Sequence, residues 1–176
     1  MRALADRVVE SPNQDERPAG TEISLLVVHS ISLPPGEYGG DSIERLFTNR
    51  LDPAAHPFFR QIAELKVSTH YLIRRDGEVV QFVAPERRAW HAGLSRWRAR
   101  ERCNDFSLGV ELEGTDDSAF TAAQYGRLAA LIRHLRQRLP LRSLAAHSDV
   151  APGRKSDPGA KFAWARVLRS LSNHKI

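Results

Sequence analysis

Two of the seven histidines in the 176-residue sequence follow short apolar runs that have the composition of buried strands. His29 comes directly after the run at 25–28, and His147 comes directly after the run at 144–146. Loops at the ends of strands are where a rigid sheet usually displays its reactive groups. One histidine at such a place is commonly a polar residue satisfied by its neighbours. Two in equivalent positions favour a shared site.

The segment that begins at His147 contains two prolines and two glycines within thirteen residues, which indicates a constrained loop. Asp157 precedes Pro158 in this segment, so its backbone is biased toward an extended conformation that holds the carboxylate outward. His29, His147 and Asp157 would supply two imidazoles and one carboxylate. This set suits zinc and leaves a fourth position for water. The lone cysteine, Cys103, excludes a closed structural site made of thiolates.

A strand predicted over residues 105–113 carries two carboxylates among apolar residues. Its leucine and valine side chains would face one side of the sheet, and Gly109, Glu111 and Glu113 would face the other. A carboxylate is costly to bury without a partner, so one interpretation is a solvent-facing edge strand. The other is a general base that the strand holds beside a metal site. The pattern alone leaves both open.

Other catalytic motifs are incomplete or absent. Residues 153–156, Gly-Arg-Lys-Ser, resemble the end of a phosphate-binding Walker A loop, but arginine replaces the glycine before the lysine. If Gly153 is taken as the second glycine instead, no glycine lies five positions before it, because position 148 is serine. The sequence has no Gly-x-Ser-x-Gly elbow, which excludes that class of serine hydrolase. Cys103 is better interpreted as a small buried thiol than as a nucleophile.

Composition and charge reduce the number of functional classes that fit the sequence. The chain is 41% hydrophobic and 27% charged, which is typical of one globular domain of this length. Its net charge is +5, but the basic residues are scattered, with the densest cluster at 96–102, so no nucleic-acid partner is expected. The apolar run at 25–28 is too short to span a membrane, and no secretory signal is expected at the N-terminus. With a single cysteine, these features favour the cytoplasm.

These candidate residues must be positioned by alternating strands and helices. Strands are predicted over residues 23–29, 69–74, 78–83, 105–113 and 144–146, the second and third joined by a type I′ turn at Asp76-Gly77. Helices are predicted over residues 43–48, 58–65, 121–139 and 161–171, the third beginning with a capping box of Thr121 and Gln124.

The remaining segments are expected to be irregular. Residues 1–20 are interpreted as a polar surface lead-in, and residues 87–103 as a long loop. The predicted fold is therefore α/β (α+β), with one domain over residues 21–176 whose mixed central sheet is flanked by helices.

Six segments between about residue 24 and residue 159 carry a resemblance to a known family. They read LLVVHSISLPPGEYGG, DPAAHPFF, LIRRDGEVVQFV, RAWHAG, ERCNDFSLGVELEGTD and AHSDVAPGRKSDPG. In this order they resemble the cytoplasmic zinc-dependent N-acetylmuramoyl-L-alanine amidases, which trim anhydromuramyl peptides during bacterial cell-wall recycling. Each segment alone is weak, but six in register make a specific match. The resemblance implies the mixed-sheet fold that these amidases share with peptidoglycan-recognition proteins.

The resemblance also implies roles for the candidate residues. It implies one zinc ion per chain, held by His29, His147 and Asp157, the trio that the site chemistry also indicates. Glu111 corresponds to the family's catalytic glutamate, and Lys155 to its catalytic-site lysine.

Residues that contact the substrate are implied in the same way. The matching cleft and stem-peptide positions are Trp90, His91, Arg102 and Asn104. Two further substrate-contacting positions depart from the family pattern, since Ser30 stands where the family has asparagine and Lys66 where it has arginine. A lysine keeps the charge but loses the bidentate geometry toward a carboxylate.

The sequence thus predicts hydrolysis of the amide between the lactyl group of (1,6-anhydro-)N-acetylmuramic acid and L-alanine of the stem peptide. The enzyme would be a cytoplasmic monomer that acts on small anhydromuramyl peptides, with no nucleic-acid or membrane partner. One alternative is a module that binds peptidoglycan fragments without cutting them, and the presence of all three candidate ligands argues against it. Another is a periplasmic or secreted amidase that acts on intact wall, which would need an export signal.

Overall fold

The structure, a computed structural model, describes residues 4–172, so that Met1 to Ala3 of the predicted lead-in and residues 173–176 with His174 lie outside the described residues. The described strands are β1 (Arg7–Val8), β2 (Gln14–Asp15), β3 (Leu25–Ile31), β4 (Tyr71–Ile73), β5 (Val79–Gln81), β6 (Arg88–Ala89), β7 (Arg96–Trp97), β8 (Arg100–Glu101), β9 (Ser107–Glu113) and β10 (Ser143–Ala146). The helices are α1 (Ser42–Phe47), α2 (Phe59–Ile62), α3 (Ala122–Arg136), α4 (His147–Val150) and α5 (Trp164–Ser172), with a short 3₁₀ helix at Cys103–Asp105.

The main sheet is mixed, with the strand order β1-β5-β4-β9-β3-β10. The central strand β9 runs parallel to β3 on one side and to β4 on the other, and β10 runs parallel to β3. Strand β5 is antiparallel to β4. Parallel strands that are covered on both faces have continuous apolar sequences, which explains the uninterrupted run in β3. The predicted mixed sheet flanked by helices is confirmed.

Different helices cover the two faces of the sheet. On one face α3 and α5 pack through a buried cluster that includes Leu128 and Val167. On the other face α1 and α2 bury Phe47 and Phe59 in a cluster with Leu72 of β4. Each such side chain contributes about 1.5–3 kcal/mol by leaving water. The central strands are therefore held from both faces and form a rigid base for side chains at their carboxyl ends.

Local turn and capping signals are confirmed in one case and corrected in another. Thr121 and Gln124 form the predicted capping box at the start of α3. The β4–β5 hairpin, in contrast, has a three-residue loop rather than the predicted two-residue type I′ turn. The amide of Gly77 donates to the carbonyl of Arg74, and Gly77 has φ of +96°. This is a type I turn followed by a glycine bulge, which needs a positive φ at one residue only.

Short strands in two segments were not predicted. Residues 1–20 contribute β1 to the edge of the main sheet beside β5 and β2 to a pair with β6, and residues 87–103 contain β6, β7 and β8. Two-residue strands are too short to show a periodicity, so their pairing depends on the surrounding fold. Arg17 fastens the first segment, because its guanidinium donates to the carbonyls of Asp105 and Ser107. Between residues 4 and 172 no helix is long and apolar enough to cross a membrane.

Candidate active site

The three predicted metal ligands meet at the carboxyl ends of neighbouring strands. Strands β3 and β10 are parallel neighbours, and Ala146 lies opposite Val28 in their register. His147 and His29 directly follow these two residues, so they lie at the same edge of the sheet. His29 is buried within β3, which continues two residues beyond the predicted end, and His147 opens α4 rather than a loop. Asp157 reaches both histidines from the turn that follows α4.

The spacing of the three donor atoms suits one tetrahedral metal ion. Nδ1 of His29 lies 3.0 Å from Nδ1 of His147, and Oδ2 of Asp157 lies 3.3 Å from the first nitrogen and 3.1 Å from the second. Ligand atoms about 2.0–2.1 Å from a tetrahedral zinc ion are about 3.3 Å from one another. Two imidazoles and a carboxylate are also donors that zinc accepts. The residues present therefore fit a zinc ion.

Burial and the contacts among the three ligands set the protonation states that metal binding needs. Desolvation lowers the pKa of His29 to about 4, so its imidazole is neutral at pH 7 and its nitrogen is free to act as a donor. Burial alone would raise the pKa of Asp157, but its contacts with the imidazoles of His147 and His29 outweigh burial and lower it. A neutral imidazole and an ionised carboxylate are the forms in which these residues ligate metal.

Glu111 faces this cluster from the central strand. It lies opposite His29 in the register of β3 and β9, and its Oε1 is 4.0 Å from Nδ1 of that histidine. Its Oε2 is buried and has no hydrogen-bond partner among residues 4–172. Desolvation, followed by the charge of Asp157, raises the pKa of Glu111 well above its usual value. An unpartnered buried carboxyl group destabilises the fold, so its position favours a catalytic role. Because β9 is central, the edge-strand interpretation is wrong.

A wide cleft opens in front of these groups. The cavity has a volume of about 370 Å³, and Lys155 lies on its polar side together with Glu111 and the three candidate ligands. Apolar side chains from the segment between β3 and β4 and from residue 90 form the remaining wall, and these are Leu33, Pro35, Leu46, Phe47, Phe58, Ile62, Leu65, Val67 and Trp90. A mostly apolar cleft with a few convergent polar groups at one side is typical of a small-molecule site.

A family model described as N-acetylmuramoyl-L-alanine amidase matches residues 19–160. The chain belongs to the N-acetylmuramoyl-L-alanine amidase family. It is 58% identical over 162 residues to the 1,6-anhydro-N-acetylmuramyl-L-alanine amidase AmpD of Escherichia coli strain K12, covering 91% of this chain and 88% of that protein. A crystal structure of a selenomethionine AmpD derivative superimposes with a TM-score of 0.94 at 55% identity, over 97% of this chain and 96% of that one.

A more distant member of the amidase family was solved with a substrate. The amidase AmiD of Escherichia coli, in complex with anhydro-N-acetylmuramic acid-L-Ala-D-gamma-Glu-L-Lys, matches with a TM-score of 0.62 at 27% identity. The match covers 88% of this chain and 60% of that chain. The shared fold therefore extends beyond the relatives that are most alike in sequence.

Three of the predicted substrate contacts of this amidase line the cleft, namely Ser30, Trp90 and His91. The hydroxyl of Ser30 donates to Oδ1 of Asp116 at 3.2 Å, so it is fixed by a partner that the sequence motifs do not indicate. His91 is held from behind the cleft, because Nδ1 of its ring lies 2.9 Å from Nε2 of His29.

The other three predicted contacts lie outside the cleft. Lys66 is exposed between two residues that line it. Arg102 has a left-handed backbone with φ of +60° and pairs with Asp105 at 3.3 Å, which places it on a neighbouring cavity. Asn104 points inward, where its Oδ1 accepts hydrogen bonds from the amides of His91 and Ala92. Sequence position next to a cleft motif did not indicate which way these side chains point.

Cys103 is a buried free thiol, as predicted. Burial raises the pKa of this thiol, which disfavours the reactive thiolate. Two groups beside the site were not found from the sequence. The carbonyl of Ala92 contacts Nε2 of His147, and the guanidinium of Arg154 donates to the same carbonyl. A backbone carbonyl carries no residue-type signal, and Arg154 was considered only as part of the rejected phosphate-binding loop.

Gly109 leaves room for the ring of His91, and this yields a first prediction. A Cβ at position 109 would lie 2.5 Å from Cγ of His91. We expect Gly109→Ala to lower the free energy of unfolding by about 1–3 kcal/mol, since overpacking displaces the ring.

Gly126→Ala is the matched control, because its Cβ in helix α3 would meet nothing within 4 Å. It should raise stability by about 0.5–1 kcal/mol. Urea unfolding of both variants measures the difference, and equal stabilities would contradict the contact.

Proposed function

We propose that this chain is a zinc-dependent amidase that cleaves the amide between the lactyl group of 1,6-anhydro-N-acetylmuramic acid and L-alanine of the stem peptide, in peptidoglycan recycling. The observation that carries the proposal is the trio of His29, His147 and Asp157, with Oε1 of Glu111 4.0 Å from Nδ1 of His29. The other oxygen of Glu111, Oε2, is buried and has no hydrogen-bond partner in the described part of the chain. The names of the relatives, and the substrate in the AmiD complex, support this bond as the target.

His29, His147 and Asp157 would hold the zinc ion. When bound, the ion supplies a Lewis acid that polarises the scissile carbonyl and favours loss of a proton from the attacking water. Glu111 takes that proton and passes it to the departing amine of L-alanine. Desolvation raises the pKa of Glu111, which makes its carboxylate a stronger proton acceptor than that of an exposed glutamate.

Lys155 lines the same cleft as Glu111 and the three proposed metal ligands. Its ammonium would stabilise the negative charge that develops on the carbonyl oxygen as water adds. The apolar wall would receive the sugar and the lactyl methyl group, with Trp90 as a stacking surface. Exposed Lys66 beside the cleft would meet a carboxylate of the stem peptide, whereas Arg102 on the neighbouring cavity would be reached only by a more distant part of it.

Lys155→Met should lower kcat by about 10²–10³-fold, because removing one group that stabilises an oxyanion costs about 2.7–4 kcal/mol in the transition state. Zinc content should stay at one ion per chain, since Lys155 is not a ligand. Lys161→Met is the matched control, because Lys161 is exposed and does not line the cleft. Steady-state cleavage of an anhydromuramyl tripeptide measures the effect. Equal kcat values for the two variants would contradict the role of Lys155.

Mass spectrometry of products tests the function against the binding-module alternative. Incubation with anhydromuramyl tripeptide should release free tripeptide and anhydromuramic acid, whereas a binding module would return the substrate intact. The cytoplasmic location and the monomeric state are further proposals, supported by the single cysteine and by the family resemblance. Cell fractionation and light scattering at the cellular concentration test them. Enzyme in the periplasmic fraction, or a dimer mass, would contradict them.

A further inference from the structure

We propose that His91 is a positioning residue of the metal site rather than a substrate contact. Together with Ser107 and the carbonyl of Ala92, it determines which ring nitrogen of each histidine ligand carries the proton. The inference rests on the proposed zinc function and adds to it a set of residues behind the ligands. We call His91, Ser107 and the Cys103 carbonyl the relay.

The carbonyl at one end of the relay fixes the direction of every hydrogen bond in it. The carbonyl of Cys103 can only accept, and the hydroxyl of Ser107 donates its single hydrogen to it at 2.6 Å. Ser107 Oγ must therefore accept from Nε2 of His91, 3.1 Å away. Nδ1 of His91 is then without a proton and accepts from Nε2 of His29 at 2.9 Å. His29 is left with a bare Nδ1, the atom that faces the candidate metal position.

The second histidine ligand is fixed by a backbone group of the same segment. Nε2 of His147 lies 3.2 Å from the carbonyl of Ala92, which cannot donate, so this nitrogen carries the proton and Nδ1 is bare. Asn104 holds the segment, since its Oδ1 accepts from the amides of His91 at 3.2 Å and Ala92 at 2.8 Å. The same short segment therefore sets the tautomer of both ligands.

Tautomer order matters because a proton on Nδ1 would occupy the place of the metal. An imidazole without an acceptor for Nε2–H samples both tautomers and rotates more freely, so binding must first select one form. Outer partners of metal ligands typically contribute 10–100-fold in metal affinity. Glycine at position 109 fits this role, because it gives the His91 ring its place against β9.

Zinc affinity of the full chain, measured by competition with a chromogenic chelator, tests the proposal without an activity assay. We expect His91→Leu to weaken zinc binding by about 10–100-fold, since Nε2–H of His29 loses its acceptor. His91→Asn is the conservative rescue, because its Oδ1 can take the place of Nδ1, and it should bind within a few-fold of the parent. Equal zinc affinities of His91→Leu and the parent chain would overturn the proposal. Equal zinc affinities of His91→Asn and His91→Leu, both weaker than that of the parent, would also overturn it, since packing alone would then explain the loss.

Nitrogen-15 NMR of the imidazoles in the zinc-loaded chain provides a second readout, and its measurement on the parent chain needs no substitution. His91 should be the tautomer with a proton on Nε2 and a bare Nδ1, and Ser107→Ala should convert it to a mixture. A proton on Nδ1 of His91 in the parent would overturn the relay. If the parent chain bound no zinc at all, the proposed function would fail instead, so the two failures are distinguishable.

Discussion

Replacing Glu111 by glutamine is expected to lower kcat by about 10²–10⁴-fold, the range that general acid–base catalysis usually contributes. Glutamine has nearly the same shape but cannot accept the proton of water. Zinc affinity and KM should change little, because Glu111 lies 4.0 Å from the nearest ligand nitrogen and is not one of the three donors. Steady-state kinetics with anhydromuramyl tripeptide, together with zinc analysis of the same sample, measure both.

The same strand offers a matched control for this variant. Glu113 lies two residues further along β9 and is also buried, but it pairs with Arg74 at 3.1 Å and accepts from the amide of Gly39. Glu113→Gln should lower stability, because it weakens a buried charge pair. It should leave kcat of the folded enzyme within a few-fold. Near-normal kcat in Glu111→Gln would show that Glu111 is not the base.

Removal of zinc is expected to lower turnover by at least about 10³-fold, since a bound metal supplies several kcal/mol of charge stabilisation in the transition state. One equivalent of zinc should restore turnover. His147→Ala should bind zinc far more weakly, because it removes one of the three donor atoms. Dialysis against a chelator, followed by titration with zinc, measures the dependence. Undiminished turnover after complete removal of zinc would contradict the mechanism.

The parts of the fold that the sequence predicts are those with local signals. Strand β3 begins with an apolar run, apolar and other residues alternate along β9, and α3 combines helical spacing with a capping box. The sequence therefore predicts the ends of these elements to within a few residues. The ends of β3 and the turn at Gly77 were wrong because register and loop length depend on pairing with neighbouring strands. The two-residue strands of the first segment have no periodicity at all.

The candidate site shows the same division. His29 and His147 each come directly after an apolar run, and this equivalence indicates a shared site before the structure is known. The structure adds that the two strands are parallel neighbours. The partners behind them depend on side-chain directions in irregular segments, and these have no sequence period. Gly109 is the one signal that was available, because a glycine inside a buried strand often marks the close approach of another group. That group is His91.

Anomalous diffraction at the zinc edge, from a crystal of the zinc-loaded protein, tests the proposed metal centre most directly. We expect one anomalous peak per chain, about 2.0–2.2 Å from Nδ1 of His29, Nδ1 of His147 and one carboxylate oxygen of Asp157. The peak should leave a coordination position that opens toward Glu111 and the cleft. A peak elsewhere in the chain, or one bound through fewer than these three residues, would contradict the proposed metal centre and the mechanism built on it.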